Sequence, residues 1–113
     1  MIKATIFYST SREVVGFKVC NHGHPIVCSA VSALTINCVN SIEALTTISK
    51  NDFCAKWNEP AGFIGFLLRQ PFFRQDGVGM LLDAFVLGLT HIAQAHPQDV
   101  VLINKCAFTK NQA

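Results

Sequence analysis

The spacing of hydrophobic positions changes several times along the 113-residue chain, and each change marks a boundary between predicted elements. In "IKATIFY" (2–8) and "VVGFKV" (14–19) apolar side chains recur at every second position, which predicts two strands of an antiparallel hairpin. From Pro25 the apolar positions recur at steps of three and four as far as Ile48. This period predicts an amphipathic helix, with Pro25 in the first turn, where its missing N–H costs nothing.

The second half of the chain continues the same kind of order. The segments "FCAKWN" (53–58) and "FIGFLLR" (63–69) predict two strands joined through 59–62, and the second is apolar on both faces, which favours a place inside a sheet. Asp76 is the predicted N-cap of a second helix that stops before Pro97, and "DVVLIN" (99–104) predicts a last strand followed by a frayed tail. The order β-β-α-β-β-α-β predicts one α+β domain over residues 1–113, in which two helices pack on a single antiparallel or mixed sheet.

Composition restricts the classes of protein. Half of the residues are hydrophobic and 14% are charged, which excludes an intrinsically disordered chain. The net charge of +2 comes from scattered Lys and Arg without a basic run, so we expect no direct nucleic acid partner. We find no signal-peptide pattern and no stretch of about 18 uninterrupted apolar residues, so no membrane partner is expected. The five cysteines form no paired spacing, which favours reduced thiols in the cytoplasm.

Candidate chemistry is concentrated in "VCNHGHPIVCSAVSAL" (19–34). Cys28 falls in the first turn of the predicted helix, where free N–H groups and the helix dipole favour a thiolate. His22 and His24 precede that turn, and Gly23 between them permits a tight bend, so either imidazole could serve as the base. The spacing does not choose between the two histidines. Cys38 lies further along the same apolar stripe and is predicted to pack in the core.

Two other interpretations of this segment remain open at the level of the residues. Cys28 can be a small core side chain with solvated histidines nearby, as is common for a cysteine in an amphipathic helix. Alternatively Cys20, His22, His24 and Cys28 could bind zinc. Closed zinc sites usually take paired ligands from two separated segments, and nine contiguous residues would struggle to surround the ion. We therefore expect no metal and no other cofactor.

The segment "GHPIVCSAVSAL" resembles the bacterial ribosomal-processing cysteine protease family Prp. The family pattern runs Gly-His-Ala, a short flexible loop, Gly-x-Asp-Ile-Val-Cys and then a helix rich in small residues. The positions that match it are Gly23, Ile26, Val27, Cys28, Ala30, Ser32, Ala33 and Leu34. The likeness continues through "NSIEALT" and "LLDAFVLGLTHIA" and so covers most of the chain.

The resemblance implies a cytoplasmic cysteine endopeptidase, usually a homodimer, that removes the N-terminal extension of a large-subunit ribosomal protein at an aromatic-rich site. Carried over, Cys28 is the nucleophile and His22 the base, while Ser32, Gly23 and His24 would contact substrate. Selectivity for aromatic side chains needs an apolar groove, which the aromatics Phe72 and Phe73 could help to form.

The sequence departs from the family pattern in two places. Pro25 stands where the family has Asp, and no separate Gly-His-Ala segment precedes the loop, because Asn21 follows Cys20 directly. Either the loop is shortened and His22 serves as the base, or a loop carrying the base is missing from the printed chain. A missing base would favour a second interpretation, a non-catalytic ribosome-associated module of the same fold that binds a peptide or protein. Asn21 and Asn40 are the only candidates for a third catalytic residue.

Overall fold

The computed structural model describes residues 1–58 and 62–108. The elements follow the predicted order: β1 (Ile2–Tyr8), β2 (Val14–Cys20), α1 (Pro25–Leu45), β3 (Phe53–Asn58), β4 (Phe63–Leu68), a short 3-10 helix (Pro71–Arg74), α2 (Val78–Ala95) and β5 (Val100–Cys106). The predicted fold class, an α+β arrangement of two helices on one sheet, is confirmed.

The five strands form one mixed sheet in the order β3-β4-β2-β1-β5. The neighbouring pairs β1/β2, β2/β4 and β3/β4 are antiparallel, whereas β1 and β5 run parallel. The parallel pair follows from the position of α2, because a helical crossover returns the chain to the sheet in the same direction. As expected from its apolar sequence, β4 lies inside the sheet.

Both helices pack on one face of the sheet, which we call the inner face. Alternate strand residues supply this side of the core, and Phe17 on β2 is at its centre, fully buried. Its ring lies 4.4 Å from that of Phe85 on α2 and 5.8 Å from that of Phe66 on β4, measured between centroids. Aromatic contacts of this kind tie the helix layer to the sheet. The core contribution of α1 comes from a buried stripe of Val27, Val31, Thr35, Cys38, Val39 and Ile42.

Arg74 fastens the 3-10 helix to the rest of the fold. Its side chain is 15% exposed and donates to the Val14 carbonyl oxygen, while Nη2 lies 3.0 Å from Asp83 Oδ2 and Nε lies 3.4 Å from Glu13 Oε2. One guanidinium thus joins β2, α2 and the turn before β2. The fork of donors on arginine suits such a three-way contact.

Three predicted boundaries are wrong in detail. Gly77, with φ 93°, is the N-cap of α2, whereas Asp76 accepts a 3.1 Å hydrogen bond from the Thr47 hydroxyl. Helix α1 ends at Leu45 instead of Ile48. Strand β5 continues through Lys105 and Cys106 because it pairs with β1 along its whole length, so these residues are not frayed. The predicted β3–β4 connection at 59–61 and the end of the tail lie outside the described residues.

Length and composition alone would allow either helix to cross a membrane, since each has a mean hydropathy of 1.5 over 18 residues. Core helices of soluble proteins meet the same criterion. Here each helix buries one face within the common core. Packing in the core accounts for 33% of the α1 window and 28% of the α2 window, which are buried.

Candidate active site

The N-terminus of α1 is built by the segment that carries the candidate chemistry. Asn21, with φ 73°, turns the chain out of β2, and His24 becomes the N-cap of α1, where its Nδ1 accepts a 3.3 Å hydrogen bond from the Ile26 N–H. Pro25 occupies the first helical turn and has no N–H to satisfy. The Cys28 N–H donates to the His24 carbonyl oxygen at 2.8 Å, so Cys28 sits one turn inside the helix.

His22 folds back over this helix end, as its place before the turn allows. Its Nδ1 lies 3.8 Å from Cys28 Sγ, within reach of a sulfur hydrogen bond. Side chains of a helix tilt toward its N-terminus, so the Cys28 sulfur points to the positive end of the dipole. The structure therefore brings together Cys28, the predicted nucleophile, and His22, one of the two candidate bases.

Gly62 lies close to the other edge of the imidazole ring. Gly62 has φ 61°, and a Cβ added there would lie 2.6 Å from His22 Nε2 and 2.7 Å from Cε1. Only glycine combines this backbone conformation with so close an approach. Within the described residues, no carboxylate or amide is hydrogen-bonded to the ring. Asn40 lies roughly 18 Å from Cys28 along the helix axis, which is too far for a third catalytic residue.

Cys28 and His22 open into a largely apolar cavity of about 220 Å³ between α1 and the β3–β4 end of the sheet. Ser32, one helical turn after Cys28, lines this cavity, and Asn21 lines it beside His22. The apolar wall consists of Ile2, Val19, Val31, Ile36, Trp57, Phe63 and Ile64. A side chain of an extended peptide could thus be buried next to the sulfur.

The other predicted site residues lie elsewhere. His24 caps the helix, and Gly23 packs near Ile2 and the Asp99 carbonyl oxygen; neither lines the cavity. Their predicted contact with substrate stays a prediction. The predicted position of the aromatic groove is wrong. Phe72 and Phe73 line a separate cavity of about 210 Å³ beside Asp76, not the cavity beside Cys28.

Sequence reasoning missed the aromatic residues that line the cavity beside Cys28. Trp57 and Phe63 come from β3 and β4, and Ile36 comes from the second turn of α1 after Cys28. Trp57 is unusually exposed for such a side chain, at 44%. The single tryptophan of the chain, near the end of a predicted strand, was the one signal that the sequence offered.

The remaining cysteines differ from Cys28 in their surroundings. Cys38 is buried, as predicted, and burial raises the pKa of its thiol to about 12. The Cys20 thiol contacts the Lys3 carbonyl oxygen instead of joining the histidines. In the part of the chain that the structure describes, no three His, Cys, Asp or Glu side chains are grouped so as to hold a metal ion.

Comparison with known proteins agrees with this geometry. The sequence model described as "Cysteine protease Prp" matches residues 1–101. The chain belongs to this family. Among curated proteins no similar sequence was found.

Solved structures with the Prp fold superpose over nearly the whole chain. The S. aureus ribosomal processing protease Prp, in complex with a covalently linked product peptide, is 22% identical with a TM-score of 0.81 and covers 93% of this chain and 100% of its own. The same S. aureus protease with a substrate peptide gives 20% identity, a TM-score of 0.81 and the same coverage. SMU.848 from Streptococcus mutans is 25% identical, with a TM-score of 0.77 over 94% of this chain and 95% of its own.

Proposed function

We propose that this Prp family member is a cysteine endopeptidase in which Cys28 is the nucleophile and His22 the general base and acid. The observation that carries the proposal is the 3.8 Å approach of His22 Nδ1 to Cys28 Sγ at the N-terminus of α1, beside an apolar cavity. Of the five thiols, Cys28 combines a partly exposed sulfur, a neighbouring imidazole and a helix N-terminus. These are the surroundings that stabilise a thiolate.

The local backbone supports His22 as the family histidine. The family places Gly before and Ala after that histidine, and here Asn21 and Gly23 flank His22. Asn21 has φ 73°, the left-handed conformation that glycine adopts freely and asparagine tolerates better than most residues. Asn21-His22-Gly23 therefore fits the role of Gly-His-Ala, with the loop between His22 and the helix shortened to a few residues. A longer loop is not required for the histidine to reach the thiol.

The chemistry is acyl transfer in two steps. The Cys28 thiolate attacks the peptide carbonyl carbon and forms the S–C bond, and the collapse of the tetrahedral intermediate breaks the C–N bond while protonated His22 gives its proton to the leaving amine. Neutral His22 then takes a proton from water, which attacks the thioester and releases the carboxylate and the thiolate. The Val27 N–H, which has no acceptor among the described residues, is the candidate donor to the oxyanion.

We further propose that the substrate is the N-terminal extension of a large-subunit ribosomal protein, cleaved in the cytoplasm by a homodimer. An aromatic-rich cleavage site matches a cavity walled by Trp57, Phe63 and Ile36. The S. aureus relative is a ribosomal processing protease seen with both substrate and product peptides. Substrate class, dimer and compartment come to this chain from its family membership.

The experiment is cleavage of a synthetic peptide that copies this extension from the same organism, followed by mass spectrometry. Cys28→Ala should abolish cleavage, and His22→Gln should lower kcat by about 10²–10⁴-fold, the usual contribution of a general base. The matched controls are Cys54→Ala and His91→Gln, which alter an exposed thiol and an exposed imidazole away from the cavity. Full activity in His22→Gln would reject His22 as the base.

The non-catalytic binding module remains the second candidate, favoured by the lack of a hydrogen-bonded group orienting His22 among the described residues. Such a module would bind the same peptide in the cavity but leave it intact. Binding of the peptide by both wild type and Cys28→Ala, with no cleavage by either, would decide for the module. Intact-mass measurement of the purified protein would also show whether the chain contains residues beyond those printed.

A further inference from the structure

The sheet face opposite the helices, which we call the outer face, has an uneven charge. Strand residues that point away from the helices form rows across the sheet, because paired residues share a face. One row runs Lys56, Gly65, Lys18, Thr5 and Ile103 through the pairs of all five strands. The rows on either side add Lys3, next to Cys20 and Val101, and Lys105, next to Phe7.

Four lysines thus lie on one surface, on four different strands. Lys3, Lys56 and Lys105 are exposed and Lys18 is half-buried. Among the described strand positions of this face no Asp or Glu occurs, and both salt bridges between described residues involve Arg74. A chain of net charge +2 therefore carries four positive charges on one face. Such a concentration attracts polyanions.

Apolar side chains lie between these charges. Gly65 has no side chain to fill its place between Lys18 and Lys56, and the Phe63 ring leans over it, so that an added Cβ would lie 3.1 Å from Phe63 Cζ. Phe7 and Leu67 close the opposite end of the resulting groove, which has a volume of about 150 Å³. The two lysines are separated by two strand spacings, about 10 Å. The groove is flat, apolar and flanked by cations.

We propose that the outer face binds single-stranded nucleic acid, with a base over the groove at Gly65 and the phosphates on Lys18, Lys56 and the outlying lysines. Planar bases bind apolar and aromatic surfaces on a sheet, and lysines bind the backbone between them. A second copy of the chain fits less well, because a two-fold contact would set this positive face against itself. The groove shares Phe63 with the cavity beside Cys28, but Lys18, Lys56 and Gly65 do not line that cavity, and the proposal goes beyond the proposed protease activity.

The expectation of no direct nucleic acid partner rested on the lack of a basic run in the sequence. The lysines of the outer face are far apart in the chain, and the sheet gathers them. Pairing across strands, which the sequence does not state, creates the charged surface. The proposal therefore departs from that expectation on structural grounds.

The test measures fluorescence anisotropy of labelled dodecameric oligouridylate and oligothymidylate with the full chain at low ionic strength. The test variant is Lys18→Glu/Lys56→Glu. The matched control is Arg12→Glu/Lys50→Glu, which changes the net charge equally at exposed positions in the turns before β2 and β3. Circular dichroism confirms that both variants fold. For single strands, the logarithm of the binding constant falls with the logarithm of the salt concentration with a slope of about 0.7 per phosphate contact. Four contacts therefore predict a slope of about 3 for the wild type.

We expect saturable binding by the wild type and the control, on the order of tenfold weaker binding by the test variant, and a salt slope smaller by about 1.4. Tighter binding of oligouridylate would indicate a ribose contact, and equal binding a contact to base and phosphate only; both support the proposal. No binding, or equal weakening in both variants, overturns it. The proposal is also overturned if inorganic polyphosphate displaces the labelled oligonucleotide as well as unlabelled oligonucleotide does, because the bases would then contribute nothing. Tighter binding to oligoglutamate or to phosphatidylglycerol vesicles than to the oligonucleotides overturns it for the same reason.

Discussion

Replacing Gly62 by alanine should test whether activity depends on the position of the His22 ring, because the substitution leaves Cys28 and His22 themselves unchanged. The new methyl group would lie 2.6 Å from Nε2 and 2.7 Å from Cε1, whereas unstrained contacts begin at about 3.5 Å. The ring must therefore move by about 1 Å. A shift toward Cys28 Sγ recovers only a few tenths of an ångström before the two atoms collide, so the ring must rotate away. If the backbone at Gly62 moves instead, its close approach to the ring is lost.

We expect Gly62→Ala to lower kcat/KM for the extension peptide on the order of 10²-fold, the usual effect of misplacing a catalytic group by about 1 Å. The rate of Cys28 alkylation by iodoacetamide near neutral pH should fall as well, because the displaced imidazole would no longer activate the thiol. This assay needs no peptide and is therefore independent of substrate binding. Alanine in a left-handed conformation also costs about 1–2 kcal/mol of stability, which urea unfolding would measure.

Gly77→Ala is the matched control for this backbone cost. Gly77 has φ 93°, and its added Cβ would meet only the Thr46 side chain, at 3.9 Å, far from His22. It should lose comparable stability and keep its activity. If folded Gly62→Ala cleaves the peptide as fast as the wild type, the ring is not held by Gly62 and the argument is refuted. Equal losses of activity in both variants would trace the effect to folding.

Four further experiments test the rest of the site and fold. In the folded wild type, iodoacetamide should label Cys28 first and Cys38 last, and uniform labelling of all five thiols in peptide mapping would contradict an activated Cys28. Because burial raises the Cys38 pKa from 9.0 to about 12, the unfolded chain loses this proton first as pH rises; Cys38 therefore favours folding fully below pH 9 and less between pH 9 and 12. The free energy of unfolding should fall in that window by up to roughly 1 kcal/mol per pH unit more in the wild type than in Cys38→Ala, and parallel curves would disprove it. Arg74→Ala should cost about 1–3 kcal/mol in urea unfolding, mainly through the lost bond to the Val14 carbonyl, since its carboxylate partners are half-exposed; Arg74→Lys should recover part, and an unchanged midpoint would show that the contacts contribute little. Trp57→Ala should raise KM about tenfold with little change in kcat if the wall binds substrate and transition state alike, and a loss confined to kcat would contradict that role.

Most of the fold followed from periodicity because the helices and strands differ clearly in the spacing of their apolar residues. The failures occurred where tertiary contacts override local preference. Asp76 has the chemistry of an N-cap, yet its carboxylate accepts from Thr47 and Gly77 takes the cap. The tail through Cys106 has weak strand character alone but pairs with β1. The parallel β1/β5 pair depends on the crossover of α2, which no local pattern encodes.

The candidate site was predictable where its residues are close in sequence. Cys28, His22 and Ser32 lie within eleven positions of one another, and helix geometry with a short turn fixes their relation. The cavity wall was not predictable in this way, because Trp57 and Gly62 reach the site only through the pairing of β3 and β4 with β2. Phe72 and Phe73 of the 3-10 helix suggested the wrong surface for the same reason, since they line a different cavity.

The contact between His22 and Gly62 bears on the choice between a protease and a binding module. In a triad, a carboxylate or amide fixes both the orientation of the imidazole and the nitrogen that carries its proton. Gly62 can restrict the orientation but contributes no hydrogen bond from a side chain. In the proposed mechanism, negative charge on the Cys28 sulfur would then be stabilised largely by the N-terminus of α1. A module that only binds peptide needs the cavity. It needs neither the 3.8 Å approach of His22 Nδ1 to Cys28 Sγ nor a glycine at position 62 that leaves room for the ring. The positions of His22 and Gly62 therefore favour the proposed protease over the binding module.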